Sequence, residues 1–171
     1  RLEPLRSGAE IAALKTPDAA DWAFVPDAVR LIRRELAGKV PLIGFAGAPF
    51  TLMCYLVGGK PSKEFAAARS MLYAQPATAM RLLDKLADAM AAYLRAQAEA
   101  GAQALMLFES WAGLLAPAEF RAFELRAVRR VFELLRPLNV PLIYYANQGA
   151  TLMEAIAEMP IDVAGIDWRL P

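Results

Sequence analysis

Val40-Pro-Leu-Ile-Gly-Phe-Ala-Gly-Ala-Pro-Phe-Thr-Leu-Met-Cys-Tyr55 is the stretch whose reading decides the fold. Its apolar run, Val40 to Ala46, is too short and too uniformly apolar for an amphipathic surface helix, and it is expected to be a parallel strand buried on both faces. The run breaks at Gly47 and Pro49; Gly44 and Gly47 permit a close backbone approach, and Pro49 fixes the turn. Thr51 is expected to cap the helix that follows, and Tyr55 to arrive one loop beyond the end of the strand. A buried strand that ends in glycine, proline and a polar aromatic is the pattern of an active-site rim.

The same alternation continues on both sides. Upstream, Asp18 to Leu36 places Trp22, Val25, Val29, Ile32 and Leu36 at helical spacing, with Arg30, Arg33 and Arg34 on the other side, after a loop-like opening. Downstream, a short helix from about Thr51 meets a break at Gly58-Gly59-Lys60-Pro61, and Ser62 is expected to cap a helix from Phe65 to Tyr73. Pro76 opens a long helix, Ala77 to Ala100, closed by Gly101, and Leu105 to Phe108 reads as a second buried strand. A helix from Pro117 to Leu135, a strand from Val140 to Ala146, a helix from Thr151 to Met159 and a strand from Val163 to Ile166 complete the series. Strands separated by helices, with no hairpin signals, imply parallel pairing and an α/β fold of about four strands with outer helices. The pattern by itself does not separate half a barrel from an open doubly wound sheet.

With 171 residues, 57% of them hydrophobic, the chain can bury a sizeable core. Lys and Arg number 19 against 18 acidic residues, a balance that calls for neither nucleic acid nor a membrane as partner. Apolar runs are interrupted well before the ~20 residues that span a bilayer. The one cysteine, Cys54, excludes an internal disulfide and suits a reducing compartment, so a cytoplasmic location is expected. No histidine is present, so neither a Ser-His-Asp triad nor a His-based metal site can be assembled from this chain. The opening Arg1-Leu-Glu-Pro has neither an initiator methionine nor a signal pattern, and the chain stops at Asp167-Trp-Arg-Leu-Pro171 directly after a strand. Residues 1–171 are therefore read as a single domain, cut at both ends, of a longer protein.

In parallel α/β folds ligands bind beyond the carboxyl ends of the strands. The residues there are Gly47, Ala48, Pro49 and Tyr55; Glu109, Ser110 and Trp111; Asn147 and Gln148; and Asp167, Trp168 and Arg169. Tyr55 offers a phenolic donor-acceptor on a rigid body, and by the residues alone it is equally a helix tyrosine with its hydroxyl at the surface. Ser110 can donate to a carboxylate oxygen or cap the segment that enters Pro117. Glu109 and Asp167 are read as structural, pairing with an arginine such as Arg169 or capping loops. Gly58-Gly59-Lys60 lacks the spacing of a phosphate loop. Cys54 reads as a small buried hydrophobe, and the Arg126, Arg129, Arg130 cluster as a solvated helix face.

Val40 to Tyr55, Ala104-Leu-Met-Leu-Phe-Glu-Ser-Trp-Ala-Gly113 and Asp162-Val-Ala-Gly-Ile-Asp-Trp-Arg169 together resemble uroporphyrinogen decarboxylases, in that family's order and at about its spacing. These haem-pathway enzymes remove acetate carboxyls from a tetrapyrrole. The resemblance implies a (βα)8 TIM barrel of which this chain covers roughly the middle half, working as a homodimer without metal or cofactor on uroporphyrinogen. It implies that Tyr55 is the cleft tyrosine that contacts substrate and the family's key aspartate, and that Ser110 hydrogen-bonds a substrate carboxylate. Phe45 matches an apolar turn residue that lines the macrocycle cleft or packs in the core. The key aspartate, the Arg-rich amino-terminal loop and a late histidine have no counterpart here, so no catalytic residue is assigned. Asn147-Gln148 stands where relatives often show a lysine-glycine or similar turn. Two alternatives are a cobalamin or coenzyme M methyltransferase-like barrel of the same superfamily, and a non-catalytic half-barrel that assembles with itself.

Overall fold

The computed structural model describes residues 3–18, 20–60 and 62–170. Arg1, Leu2 and Pro171 of the expected cut ends, Ala19 of the first expected helix and Pro61 of the expected break lie outside the described residues. Strands β1 (Ile43–Gly47), β2 (Ala104–Glu109), β3 (Leu142–Ala146) and β4 (Val163–Gly165) form one parallel sheet in the order β1-β2-β3-β4. Phe45 stands opposite Met106, Met106 opposite Ile143, and Ile143 opposite Val163. Helices α1 (Gly8–Ala13) and α2 (Phe24–Leu36) precede β1. Helices α3 (Pro49–Gly58), α4 (Ala66–Ala74) and α5 (Pro76–Glu99) make the crossover to β2, α6 (Pro117–Glu119) and α7 (Leu125–Leu135) that to β3, and α8 (Met153–Ala157) that to β4. Parallel neighbours need such helical returns, and the expected strand-helix alternation is the observed one.

The core lies between one face of the sheet and the helices. Leu105, Leu107, Leu142 and Tyr144 point into it and meet Phe50, Met53 and Val57 of α3, Leu82, Leu83 and Leu94 of α5, and Val128, Val131, Phe132 and Leu135 of α7. Each such leucine contributes roughly 1.5–3 kcal/mol by leaving water. Proline stands at the first turn of α3, α5 and α6, where no intrahelical donor is lost.

The strands are not buried on both faces as expected. Along β1, Ile43 is 42% and Phe45 60% exposed, while Ala46 is buried, because helices cover only one side and successive residues alternate between the two. The other face is an open apolar surface in which Phe45 meets Phe108 edge to face at 6.1 Å and Phe108 meets Tyr145 at 5.2 Å. Val40 and Leu42 precede β1 instead of opening it.

Local chemistry accounts for other departures. Asp18 accepts hydrogen bonds from the N–H groups of Ala20 and Asp21 at 2.8 and 3.3 Å, so α2 starts only at Phe24, and Ile32 of the expected apolar stripe is 45% exposed. Helix α1 was not anticipated, although Ser7 and Glu10 form a reciprocal capping box at its start. Ala48, not Thr51, is the N-cap of α3, and Thr51 lies within its first turn. Ser62 does accept from the N–H groups of Glu64 and Phe65, but Phe65 takes a left-handed φ of 43° and α4 begins at Ala66. The expected helix from Pro117 to Leu135 is interrupted by a π turn, Phe120–Glu124. Arg126 and Arg130 are not merely solvated: they pair with Asp84 and Asp88 of α5 at 2.7 and 2.6 Å, exposed contacts worth about 0–1 kcal/mol each.

The free edge of β1 is held by a side chain. Gln97, buried on α5, accepts from the Phe45 N–H at 3.0 Å and donates its amide N–H to the Phe45 carbonyl at 3.0 Å, as a neighbouring strand would. Gly44 makes the approach possible, since a Cβ there would lie 2.9 Å from Gln97 Oε1. Gln97→Leu is expected to lower stability by about 1 kcal/mol, because water can recover part of what the exposed Phe45 backbone loses. Urea unfolding checks this: the midpoint should fall with the slope unchanged, and an unaltered midpoint would show that the amide bridge adds nothing.

Candidate active site at the strand ends

The four loops that follow the strands are joined by hydrogen bonds into a rim. Ala48 N–H donates to the Phe108 carbonyl at 2.9 Å, closing β1 onto β2. Ser110 N–H donates to Thr51 Oγ at 2.9 Å, and the Ser110 carbonyl accepts from the Asn147 amide at 3.1 Å. Asn147 N–H donates to the Glu109 carbonyl at 2.9 Å, and Gln148 N–H to the Asp167 carboxylate at 2.5 Å. The rim thus runs from α3 through the ends of β2 and β3 to the end of β4. Gly113 is required within it, since a Cβ there would come within 2.5 Å of Gln148 Cβ.

Tyr55 is the seventh residue of α3 and is braced by aromatic rings from two other segments. Its ring lies edge to face with Phe65 at 5.5 Å and with Trp111 at 6.4 Å, and Phe65 and Trp111 meet at 4.8 Å. Tyr55 keeps 37% of its surface exposed, whereas Phe65 is buried. Trp111 is the chain neighbour of Ser110, so the Tyr55 ring packs against the turn that carries Ser110. Phe45 stands apart from them, on the open face of the sheet beside Phe108.

Asp167 is held by the Arg169 guanidinium at 3.2 Å and by the N–H groups of Arg169 and Gln148. Those backbone bonds, Arg169 first, hold its carboxyl below the usual range. Arg169 also lies over the Trp168 ring at 4.7 Å. Glu109 has no arginine. It is completely buried and accepts from Thr51 Oγ at 2.5 Å, Thr51 N–H at 3.3 Å and Trp111 N–H at 3.2 Å. It therefore caps two segments at once, the first turn of α3 and the turn after β2. Glu124 is equally buried beside it. Burial pushes both carboxyls up. For Glu109 the bonds from Glu124, Thr51 and Trp111 pull back, whereas for Glu124 the Glu109 charge pushes further.

Sequence reasoning passed over Thr51 and Glu124 as neighbours of Glu109. A signal existed: Glu124 falls four residues after Phe120 and four before Val128, on the apolar stripe that enters the core. Among the described residues there is no group of three or more His, Cys, Asp or Glu side chains placed to hold a metal ion, and no helix long and apolar enough to cross a membrane.

Residues 2–171 match the model of the family described as uroporphyrinogen decarboxylase (URO-D). The uroporphyrinogen decarboxylase of Citrifermentans bemidjiense is 44% identical over 169 residues, 98% of this chain and 50% of that protein. The corresponding proteins of Syntrophotalea carbinolica and Desulfotalea psychrophila are 45% and 46% identical, over 96% and 98% of this chain and 48% and 49% of theirs. The chain spans about half the length of the curated relatives it matches. A solved structure, a methyltransferase from Methanosarcina mazei, superimposes with a TM-score of 0.72 over 86% of this chain and 43% of its own at 19% identity, a likeness of fold. Four parallel strands with outer helices, covering less than half of that neighbour, make a partial barrel. With the family matched along nearly its whole length, and the three resembling stretches each at a strand end of one sheet, the chain belongs to the uroporphyrinogen decarboxylase family.

Proposed function

We propose that this chain forms one wall of the substrate cleft of a uroporphyrinogen decarboxylase, a carboxy-lyase of porphyrin biosynthesis that converts uroporphyrinogen III to coproporphyrinogen III by removing four acetate carboxyls as carbon dioxide. The observation that carries the reading is the juxtaposition of the Tyr55–Phe65–Trp111 ring cluster and Ser110 at the rim of a sheet whose open face is aromatic. That face, Phe45, Phe108 and Tyr145, suits one side of an apolar macrocycle, and the two hydroxyls suit its carboxylates. The chain is a single domain, about half of a barrel, and the complete protein is a cytoplasmic homodimer.

The chemistry asks little of the protein beyond binding and charge. Protonation of a pyrrole ring carbon makes the ring a cationic electron sink. The bond between the acetate methylene and its carboxylate then breaks, its electron pair moves into the ring, and carbon dioxide leaves. The methylene takes a proton to become methyl as the ring loses the one it gained. The net change per acetate is one proton consumed and one carbon dioxide released. No coenzyme is needed to park the electrons, since the pyrrole does so, and the stabilising anion belongs to the part of the barrel outside residues 1–171. Tyr55 and Ser110 orient a carboxylate, and the aromatic face excludes water.

In the complete barrel, Tyr55→Phe and Ser110→Ala each remove a hydrogen bond to a charged group, worth roughly 1.5–3 kcal/mol. Each should lower kcat/KM by about tenfold to somewhat over a hundredfold. Steady-state assays on the folded variants check this, with Cys54→Ser as a control expected to alter stability more than turnover. Parental rates in both hydroxyl variants would make both residues structural. The purified 171-residue chain alone is expected to show no decarboxylation, and detectable turnover would place the acid–base groups within it.

A further inference from the structure

The Ser110 turn and the helix carrying Tyr55 are joined from behind, on the helix side of the sheet. Thr51 Oγ has one proton, which it gives to Glu109 at 2.5 Å, and this leaves its lone pairs to accept the Ser110 N–H at 2.9 Å. The relay has a direction only while Glu109 is an acceptor. Glu109 also takes the N–H groups of Thr51 and Trp111, so one carboxylate fixes residues on both sides of the candidate site.

A bare carboxylate at 0% exposure is costly unless something compensates it. No cation forms an ion pair with Glu109 or Glu124 among the described residues. What faces them is Thr51 and Cys54 of α3, Tyr144 of β3, and each other. The amino end of the ten-residue α3 supplies one partial positive charge through the Thr51 N–H. The π turn supplies the rest: it carries Glu124 into the core, where neither of its oxygens has a well-formed hydrogen bond and the Phe50 N–H in the first turn of α3 only partly offsets its charge. An ionised Glu124 would be a second uncompensated charge; a neutral one is a donor whose acceptor is Glu109.

We propose that Glu109 and Glu124 hold one proton between them, carried on Glu124, and that ionised Glu109 is a positioning residue that clamps the Ser110 turn to the first turn of the Tyr55 helix. Burial, then the Glu109 charge, pushes the Glu124 carboxyl upward in keeping with this. The thiol of Cys54 and the hydroxyl of Tyr144 are pushed up first by burial and then by the same two carboxylates, so each keeps its own proton and stays neutral. The functional part of the proposal rests on the reading of Tyr55 and Ser110 as substrate contacts; the proton-sharing part does not.

Two measurements separate these parts. Infrared spectroscopy of this chain at neutral pH, with isotopically labelled glutamate, should show a carboxylic-acid carbonyl band that Glu124→Gln abolishes and Glu109→Gln keeps. Absence of the band in the parent chain, or its survival in Glu124→Gln, overturns the shared proton, and the parent spectrum alone suffices if a variant does not fold. Because a neutral buried glutamate stabilises the fold below its ordinary range of about 4.3 and loses that contribution as pH rises through its raised value, the urea midpoint should decline with pH. Glu124→Gln should flatten the decline, and an equal decline in the variant contradicts the assignment.

In the complete decarboxylase, Glu109→Gln should raise KM for porphyrinogen about tenfold with little change in kcat, and should add almost nothing in a Ser110→Ala background, since it acts through Ser110. Full additivity makes Glu109 merely structural. An inert Ser110→Ala removes the substrate-contact reading itself, while the infrared band continues to decide the proton.

Discussion

Alternation along β2 is the constraint on which the rest of the rim depends. With helices on one face of the sheet only, Leu105, Leu107 and Glu109 all turn toward the core, and the last of these positions carries a carboxylate at 0% exposure. A buried carboxylate must find donors, and it finds them in the first turn of α3 and in the turn after β2, with the proposed proton on Glu124 as the third. Those bonds fix where Ser110 and Trp111 leave the sheet. Trp111 in turn braces Tyr55, so one burial requirement propagates to both hydroxyls proposed to meet substrate. The opposite face obeys the same alternation with the opposite result: Phe45, Phe108 and Tyr145 are left together on an open surface.

Much of this was legible in the chain, and the rest was not for identifiable reasons. Short apolar runs separated by segments of helical spacing placed all four strands and their parallel pairing, because parallel neighbours need helical returns between them. The same runs misled on burial, since Ile43 and Phe45 are as apolar as a doubly covered strand would require, yet one side of the sheet has no covering layer among the described residues. Ser7 and Glu10 carried a readable helix start, whereas the π turn depends on one extra residue accommodated against the sheet, which local preference does not encode. Gln97 reads as an ordinary polar helix residue; only tertiary proximity turns its amide into a partner for the edge of β1.

At the site, position after a strand made Tyr55 and Ser110 candidates and the family resemblance gave them roles, but neither indicated what holds them. Thr51 reads as a helix cap because Ser, Thr, Asp and Asn usually serve there. Here a carboxylate from a neighbouring strand takes the capping role, and Thr51 relays between that carboxylate and Ser110. Asp167 fits the expectation of an arginine pair, with Arg169 two residues away. Asn147, which stands where relatives often show a lysine-glycine or similar turn, ties the ends of β2 and β3 together.

The most direct test of the account is a crystal structure of the complete protein with coproporphyrinogen bound. The account predicts one macrocycle face against Phe45, Phe108 and Tyr145, and a substrate carboxylate within about 2.5–3.2 Å of the Tyr55 and Ser110 hydroxyls. A macrocycle bound away from the carboxyl ends of these strands, or both hydroxyls turned from its carboxylates, would contradict it.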